Sequence, residues 1–187
     1  IWGTDISRTA VDKAREKCPD CSFFYLSKAS EYRDKFNFLY THHVLEHVFD
    51  ITESISLMNS LSSRREKSYM FHIFPCGNPG SYEYKICSMI QKGIEKENGN
   101  RFFFEDEGHV RRMTTQDISS VLSPFDFELT KDYYANQYHG AISWIVDSGP
   151  AFIHELFNLD RALNLEAREQ LTRQRKKLLL LCLFPFG

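Results

Sequence analysis

Two short segments of the chain place polar groups directly after apolar residues, as at the end of a β-strand. Asp5 follows Ile1 and Trp2 after a two-residue spacer. A carboxylate there can accept hydrogen bonds from both hydroxyls of a ribose. The second segment, residues 36–41, is mainly aromatic and leads into His42. Because open α/β sheets bind ligands at the carboxyl ends of their strands, both segments are candidate binding positions. Asp5 is equally suited to starting the helix that follows, and both interpretations stay open.

The elements around these segments alternate between strand and helix patterns. Strands are predicted at residues 22–26, 36–41 and 69–74, and helices at 7–17, with Ser7 as N-cap, and from residue 44 or 50 to 61. This alternation predicts an α/β fold with a mainly parallel sheet and helices on both faces. Asp5 and Thr41 are then expected at the same, C-terminal edge of the sheet.

The second half of the chain has a different pattern. A helix is predicted at residues 82–96 with a break at 98–100, and Thr114 to Asp117 resembles a capping box that opens a helix to about residue 123. Residues 125–134 and 141–146 are predicted to pair as a late antiparallel hairpin. Beyond the linker candidate Gly149-Pro150, regularly spaced leucines predict a helical C-terminal extension. The domain prediction is therefore residues 1–148, with 149–187 as their helical extension.

Composition narrows the class of protein. The 187 residues are 42% hydrophobic and 14% aromatic, which indicates a globular domain with a substantial core. The net charge of −2 argues against whole-surface attraction to nucleic acid. Five cysteines without framework spacing favour reduced thiols in a cytoplasmic protein. No apolar run approaches the roughly 20 residues of a transmembrane helix, and no signal peptide is visible.

Three segments in order resemble the class I S-adenosylmethionine-dependent methyltransferases. They are Gly3-Thr4-Asp5-Ile6-Ser7, the strand 36–41 with the following Leu45-Glu46-His47-Val48, and His109-Val110-Arg111-Arg112-Met113-Thr114. The resemblance covers about residues 3–129. It implies a Rossmann-like fold, S-adenosylmethionine as cofactor, and methyl transfer to an unidentified acceptor, which we expect to be a small molecule.

The resemblance also implies roles for individual residues. Asp5 would hold the ribose hydroxyls and Ile6 would pack on the adenine. Thr41 and His42 would lie near the methionine part of the cofactor. His42 or His109 would serve as catalytic base if the acceptor must lose a proton, because an unperturbed histidine pKa is near 6.5.

The sequence departs from this family in one important respect. The glycine-rich loop Gly-x-Gly-x-Gly, which normally precedes the segment at Gly3, has no counterpart in the sequence. The strand before that loop is central in the family, so we expect a gap in the sheet, an N-terminally incomplete unit and weak or no cofactor binding by these residues. The alternative function is a non-catalytic, methyltransferase-like remnant that acts as a binding or interaction protein.

Three further motifs have competing interpretations. His43 to His47 matches the zinc-protease pattern H-x-x-E-H, which requires both histidines on one helical face. The preceding strand explains these residues better, and no metal site is expected. Cys18 and Cys21 form a lone C-x-x-C pair, which we interpret as coincidence rather than as a redox site. The basic, then apolar stretch 173–184 is expected to pack on the core, the alternative being a membrane surface.

The segment from Gly80 to Thr114 is a candidate lid over the acceptor pocket. In this hypothesis His109 exchanges protons, and Arg111 or Arg112 pairs with an anionic group of the acceptor. The alternative is a surface loop whose arginines neutralise neighbouring acidic residues.

Overall fold

The fold was obtained as a computed structural model, which describes residues 1–105, 108–134 and 154–183. In the first half, strands and helices alternate as β1 (Trp2–Asp5), α1 (Arg8–Lys17), β2 (Ser22–Tyr25), β3 (Phe38–His42), α2 (Ile51–Leu61) and β4 (Tyr69–Ile73). The later elements are α3 (Tyr82–Cys87), β5 (Ile94–Glu95), β6 (Arg101–Phe102), α4 (Thr115–Leu122) and α5 (Leu165–Leu183). The predicted mixture of helices and strands is confirmed.

The strands form three small sheets in the described part of the chain, whereas the sequence predicts one. β1 pairs with β2 and β3 pairs with β4, both in parallel, while β5 and β6 are antiparallel. The first two sheets approach each other through aromatic side chains: the Phe36 ring lies 6.1 Å from Trp2 and 6.4 Å from Phe24. Aromatic side chains thus join the two sheets, and no backbone ladder between them is found among the described residues.

Side-chain caps mark the starts of the helices, and three of them bear on the predictions. The Ser7 hydroxyl accepts a hydrogen bond from the Ala10 amide at 3.2 Å, as predicted. Asp50 caps α2, so this helix begins at residue 51, the later of the two predicted starts. The capping box of α4 is confirmed, since Thr114 and Asp117 each accept a hydrogen bond from the other's backbone amide.

The predicted helix over residues 82–96 is wrong beyond Cys87. A Cβ atom at Gly93 would lie 2.0 Å from the Cys87 carbonyl oxygen, so the chain turns here in a way that only glycine allows. Residues of β5 then pair with β6 around Gly99, whose φ is +74°. Tertiary pairing thus overrides the local helical pattern.

The predicted late hairpin lies only partly within the described residues. Residues 123–125 form a 3-10 turn, and 127–134 form no strand within the described chain, so the predicted strand 125–134 is wrong. Asp126 interrupts extended backbone there with a φ of +62°. The expected partner 141–146 and the linker Gly149-Pro150 lie outside the described residues.

The described part of the C-terminal extension packs on the second half of the chain. Leu156 and Leu171 share a buried cluster with Ile86 and Ile90. The Gln91 amide donates to the Arg161 carbonyl at 2.8 Å. Leu171 therefore contributes to the core. Within the stretch 173–184, which was expected to pack on the core, Leu179 and Leu180 are 46% and 57% exposed. Among the described helices, none has the length and apolar character needed to cross a membrane.

One face of the β3–β4 sheet is exposed and aromatic. Phe38 and Tyr40 of β3 are 57% and 53% exposed, and Tyr69 and Phe71 of β4 are 47% and 42% exposed. Each β3 residue lies opposite its β4 partner, and the Tyr40 and Phe71 rings stack at 5.8 Å. We call these four side chains the aromatic face.

Candidate functional site

Asp5 ends β1 and also organises the start of α1. Its Oδ1 accepts a hydrogen bond from the Ser7 amide at 2.7 Å. This contact is the helix-start role that the sequence left open. The side chain is exposed and its second oxygen, Oδ2, is left to accept a further hydrogen bond. Both interpretations of Asp5 are therefore compatible with its geometry.

A cleft of about 350 Å³ lies at the carboxyl ends of β1 and β2. It is lined by Ile6, Arg8, Tyr25, Leu26 and Ser27. Ile6 is 87% exposed, so an apolar side chain faces a ligand-sized space directly after Asp5. Ile6, which the resemblance assigns to the cofactor, is therefore one of the residues that line this cleft.

Tyr25 forms a fixed wall of this cleft. Its hydroxyl donates to Asp12 Oδ1 at 2.7 Å and accepts from Arg15 Nη1 at 3.0 Å. The Arg15 guanidinium also lies 4.6 Å from the Tyr25 ring centre. These contacts fix the orientation of the Tyr25 ring, which lines the cleft together with Ile6.

Thr41 is engaged across the sheet. Its Oγ1 lies 2.8 Å from Nδ1 of His72 on β4, and both side chains are partly buried. Burial lowers the pKa of His72 to about 4, so this imidazole is neutral near pH 7. The neutral ring holds the Thr41 hydroxyl, which is not directed into the cleft at β1 and β2.

His42 is exposed at the carboxyl end of β3. Its ring contacts the rings of His43 at 4.5 Å and Tyr40 at 6.2 Å. Of the two expected catalytic bases it is the more accessible, since only 7% of His109 is exposed.

The segment after β3 is a turn, so the zinc-protease interpretation of His43 to His47 fails. His43 has a φ of +52°, and residues 45–47 are turn rather than helix. The two histidines therefore do not share a helical face. His43 Nδ1 instead lies 2.8 Å from Glu46 Oε1 within the turn.

His109 belongs to a segment that packs against this turn. The Val110 amide donates to the Glu46 carbonyl at 2.9 Å. His109 Nδ1 lies 3.4 Å from Glu105 Oε1, and its ring centre lies 4.7 Å from that of His47. The segment is therefore joined to the end of β3 by backbone and side-chain contacts.

The two arginines of this segment are used internally. Arg112 pairs with Glu105, donates to the Cys76 carbonyl at 3.0 Å and lies 4.2 Å from the Phe102 ring. Arg111 donates to the carbonyl oxygens of Val48 and, at 2.7 Å, of Phe49. Both guanidinium groups thus hold the protein's own oxygens. The pairing of Arg112 with Glu105 favours the alternative in which arginines of this segment neutralise neighbouring acidic residues.

Three potential metal ligands meet where these segments join. Glu46, His47 and His109 each offer one ligand atom, and these atoms lie within 4.8 Å of one another. The sequence does not predict this cluster, because His109 is 62 positions from His47 and the adjacent Glu46-His47 pair is the only local signal. The cluster therefore reopens the expectation that the chain has no metal site.

A larger cleft of about 1270 Å³ runs along β4 and residues 125–134, and its lining includes His43, His72 and Tyr134. Asp5, Ile6, His42 and His109 do not line it. Both clefts reach the carboxyl ends of parallel strands, where α/β sheets bind ligands. We favour the smaller cleft as the candidate site because Ile6, an expected cofactor residue, lines it.

The two cysteines of the C-x-x-C pair lie in the turn between α1 and β2. Both Cys18 and Cys21 are free thiols. Burial raises the pKa of the Cys87 thiol, which keeps it protonated and unreactive.

Comparisons of the chain with protein-family models, curated proteins and solved structures found no match.

Proposed function

We propose that this chain is a methyltransferase-like α/β unit that binds S-adenosylmethionine and supports methyl transfer to a small-molecule acceptor. The observation that carries the proposal is the cleft at the carboxyl ends of two parallel strands, which is lined by Ile6, the residue directly after Asp5. Its volume of about 350 Å³ is within the usual range for small-molecule sites.

The cleft has the chemistry that an adenosine group requires. Ile6 and the Tyr25 ring offer apolar surfaces for a planar base. Asp5 Oδ2 can accept a hydrogen bond from a ribose hydroxyl while Oδ1 stays bound to the Ser7 amide. These residues suit the adenosine end of the cofactor, which is the end that the sequence resemblance assigns to Asp5 and Ile6.

The remaining expected residues have more limited roles in this proposal. S-adenosylmethionine supplies an electrophilic methyl group when it is bound. Exposed His42 can accept a proton from the acceptor. Thr41 contributes through its backbone, since its hydroxyl is held by His72. Buried His109 supports the turn after β3 rather than exchanging protons with the acceptor.

The sheet arrangement supports the finer fold proposal, a Rossmann-like sheet with its central strand missing. Among the described residues, the sheet partner of β1 is β2 alone, and the sheet partner of β3 is β4 alone. Both pairs are parallel, and their starting ends adjoin at Trp2 and Phe36. Separation of these two pairs is what the expected gap would produce.

A second candidate function is a non-catalytic, methyltransferase-like interaction protein. The aromatic face favours it, because contiguous exposed apolar surface is typical of interaction sites. This function requires no ligand in the cleft at β1 and β2, so a ligand-binding measurement separates the two candidates.

Saturation-transfer NMR with S-adenosylhomocysteine tests the proposal, because the method detects the weak binding that we expect without a glycine-rich loop. We expect saturation of the adenine and ribose protons. Asp5→Ala should weaken binding by about 1.5–3 kcal/mol, the range for a hydrogen bond to a charged group. The matched control is Asp20→Ala, which changes an exposed aspartate in the turn after α1. Equal signals from both variants would remove Asp5 from the site.

A further inference from the structure

We propose that Glu46, His47 and His109 bind a first-row divalent transition metal ion, with Zn²⁺ as the best match. Two imidazoles and one carboxylate form a ligand set typical of catalytic zinc sites. Their ligand atoms already lie within 4.8 Å of one another. The proposal does not depend on S-adenosylmethionine binding, since the cleft at β1 and β2 uses other residues.

The orientation of His47 suits metal binding. Its Nδ1 lies 2.8 Å from the Gly108 carbonyl oxygen, so Nδ1 carries the proton and donates it. Nε2 is then the unprotonated nitrogen, and it lies 4.0 Å from Glu46 Oε1. Metal-binding histidines are commonly oriented in this way, by a carbonyl or carboxylate that accepts from the other ring nitrogen.

The buried carboxylate of Glu46 also favours a bound cation. The residue is 1% exposed, and its Oε1 faces His43 Nδ1 at 2.8 Å. Its Oε2 is buried without a hydrogen-bond partner in the described structure. A buried carboxylate oxygen in this state costs free energy, which a bound cation would offset.

The two segments that supply the ligands are already held together. The Val110 amide donates to the Glu46 carbonyl at 2.9 Å, and Glu105 lies between His109 and Arg112. Tetrahedral zinc–ligand bonds of about 2.0–2.2 Å place the ligand atoms about 3.3–3.6 Å apart. Atoms that now lie within 4.8 Å of one another must therefore close by about an ångström when the ion binds.

The ligand types also select the metal. Imidazole nitrogen suits zinc, copper, iron or nickel, whereas Mg²⁺ and Ca²⁺ prefer oxygen ligands. Three protein ligands leave a fourth position for water or a substrate oxygen. The His47 side chain is 43% exposed, which places that position toward solvent.

The test is titration of the whole chain with Zn²⁺ against a chromogenic chelator, together with the visible spectrum of the Co²⁺ form. We expect one ion per chain and a tetrahedral Co²⁺ spectrum. His47→Ala should weaken Zn²⁺ binding by more than about 100-fold, beyond the roughly 10–100-fold loss from changing an outer-shell group. This variant should fold, because His47 is half-exposed. His154→Ala, with a 69% exposed side chain, is the matched control and should bind as the unaltered chain does.

Two results would overturn the proposal. One is Zn²⁺ affinity that His47→Ala leaves unchanged. The other is loss of binding in Cys18→Ser with a thiolate band in the Co²⁺ spectrum, which would move the ion to the cysteine pair. Glu46→Gln provides a second variant of nearly equal volume, and circular dichroism verifies its fold. S-adenosylhomocysteine binding is measured in the same samples, so failure of the metal site and failure of the proposed function are distinguishable.

Discussion

Thr41 and His72 face each other across the β3–β4 ladder, with Thr41 Oγ1 2.8 Å from His72 Nδ1. Burial keeps this imidazole neutral by lowering its pKa to about 4. The pair joins the end of β3, where a ligand site was expected, to the interior of the sheet.

The first prediction concerns the pH dependence of stability. In the unfolded chain His72 binds a proton below about pH 6.5, whereas in the folded chain it does so only below about pH 4. The free energy of unfolding should therefore fall as the pH drops from 6.5 to 4, with about 2 kcal/mol of loss from His72 between pH 7 and 5. Urea unfolding at the two pH values measures it.

His72→Asn should reduce this loss, because the variant has no titrating imidazole. Exposed His42→Asn is the control and should keep the full pH dependence. If both variants lose stability equally between pH 7 and 5, His72 is not the group responsible.

The second prediction concerns the ion pair between Arg112 and Glu105. Their side chains are 2% and 0% exposed. Arg112→Ala should lower the free energy of unfolding by about 3–5 kcal/mol, because it leaves the Glu105 carboxylate buried without its cation. The surface pair of Arg64 and Asp34 is the comparison, and Arg64→Ala should cost no more than about 1 kcal/mol. Similar losses at the two sites would contradict the structural role of Arg112.

The third prediction concerns two glycines. A Cβ atom at Gly93 would lie 2.0 Å from the Cys87 carbonyl oxygen, whereas one at Gly80 meets nothing within 4 Å. Gly93→Ala should cost about 1–3 kcal/mol, the usual range for forced overpacking. Gly80→Ala should have little effect in the same thermal unfolding experiment. A neutral Gly93→Ala would mean that the turn after α3 relaxes freely.

Local signals in the sequence predicted the features that depend on neighbouring residues. Ser7 and the pair Thr114–Asp117 could be identified because an N-cap acts within one helical turn. For α2 the sequence left two starts open, and the structure shows that Asp50 is the cap. The strands predicted at residues 22–26, 36–41 and 69–74 match β2, β3 and β4 to within about two residues, since each is an apolar run with clear ends.

Features that depend on distant contacts could not be predicted. The end of α3 is set by close packing at Gly93 and by pairing of β5 with β6, which no local pattern reveals. Likewise, the hydrogen bonds from Arg111 to the carbonyl oxygens of Val48 and Phe49 join residues more than 60 positions apart in the sequence. Asp5 and Ile6 could be proposed for the site because strand, acidic residue and helix start are adjacent in the sequence.

The central claim, that adenosine binds at the carboxyl ends of β1 and β2, is tested most directly by mapping amide chemical shifts during titration with S-adenosylhomocysteine. The account predicts shifts at residues 5–7 and 25–27, followed by smaller shifts at 41–43. Shifts confined to the aromatic face, or no shifts at saturating ligand, would contradict it.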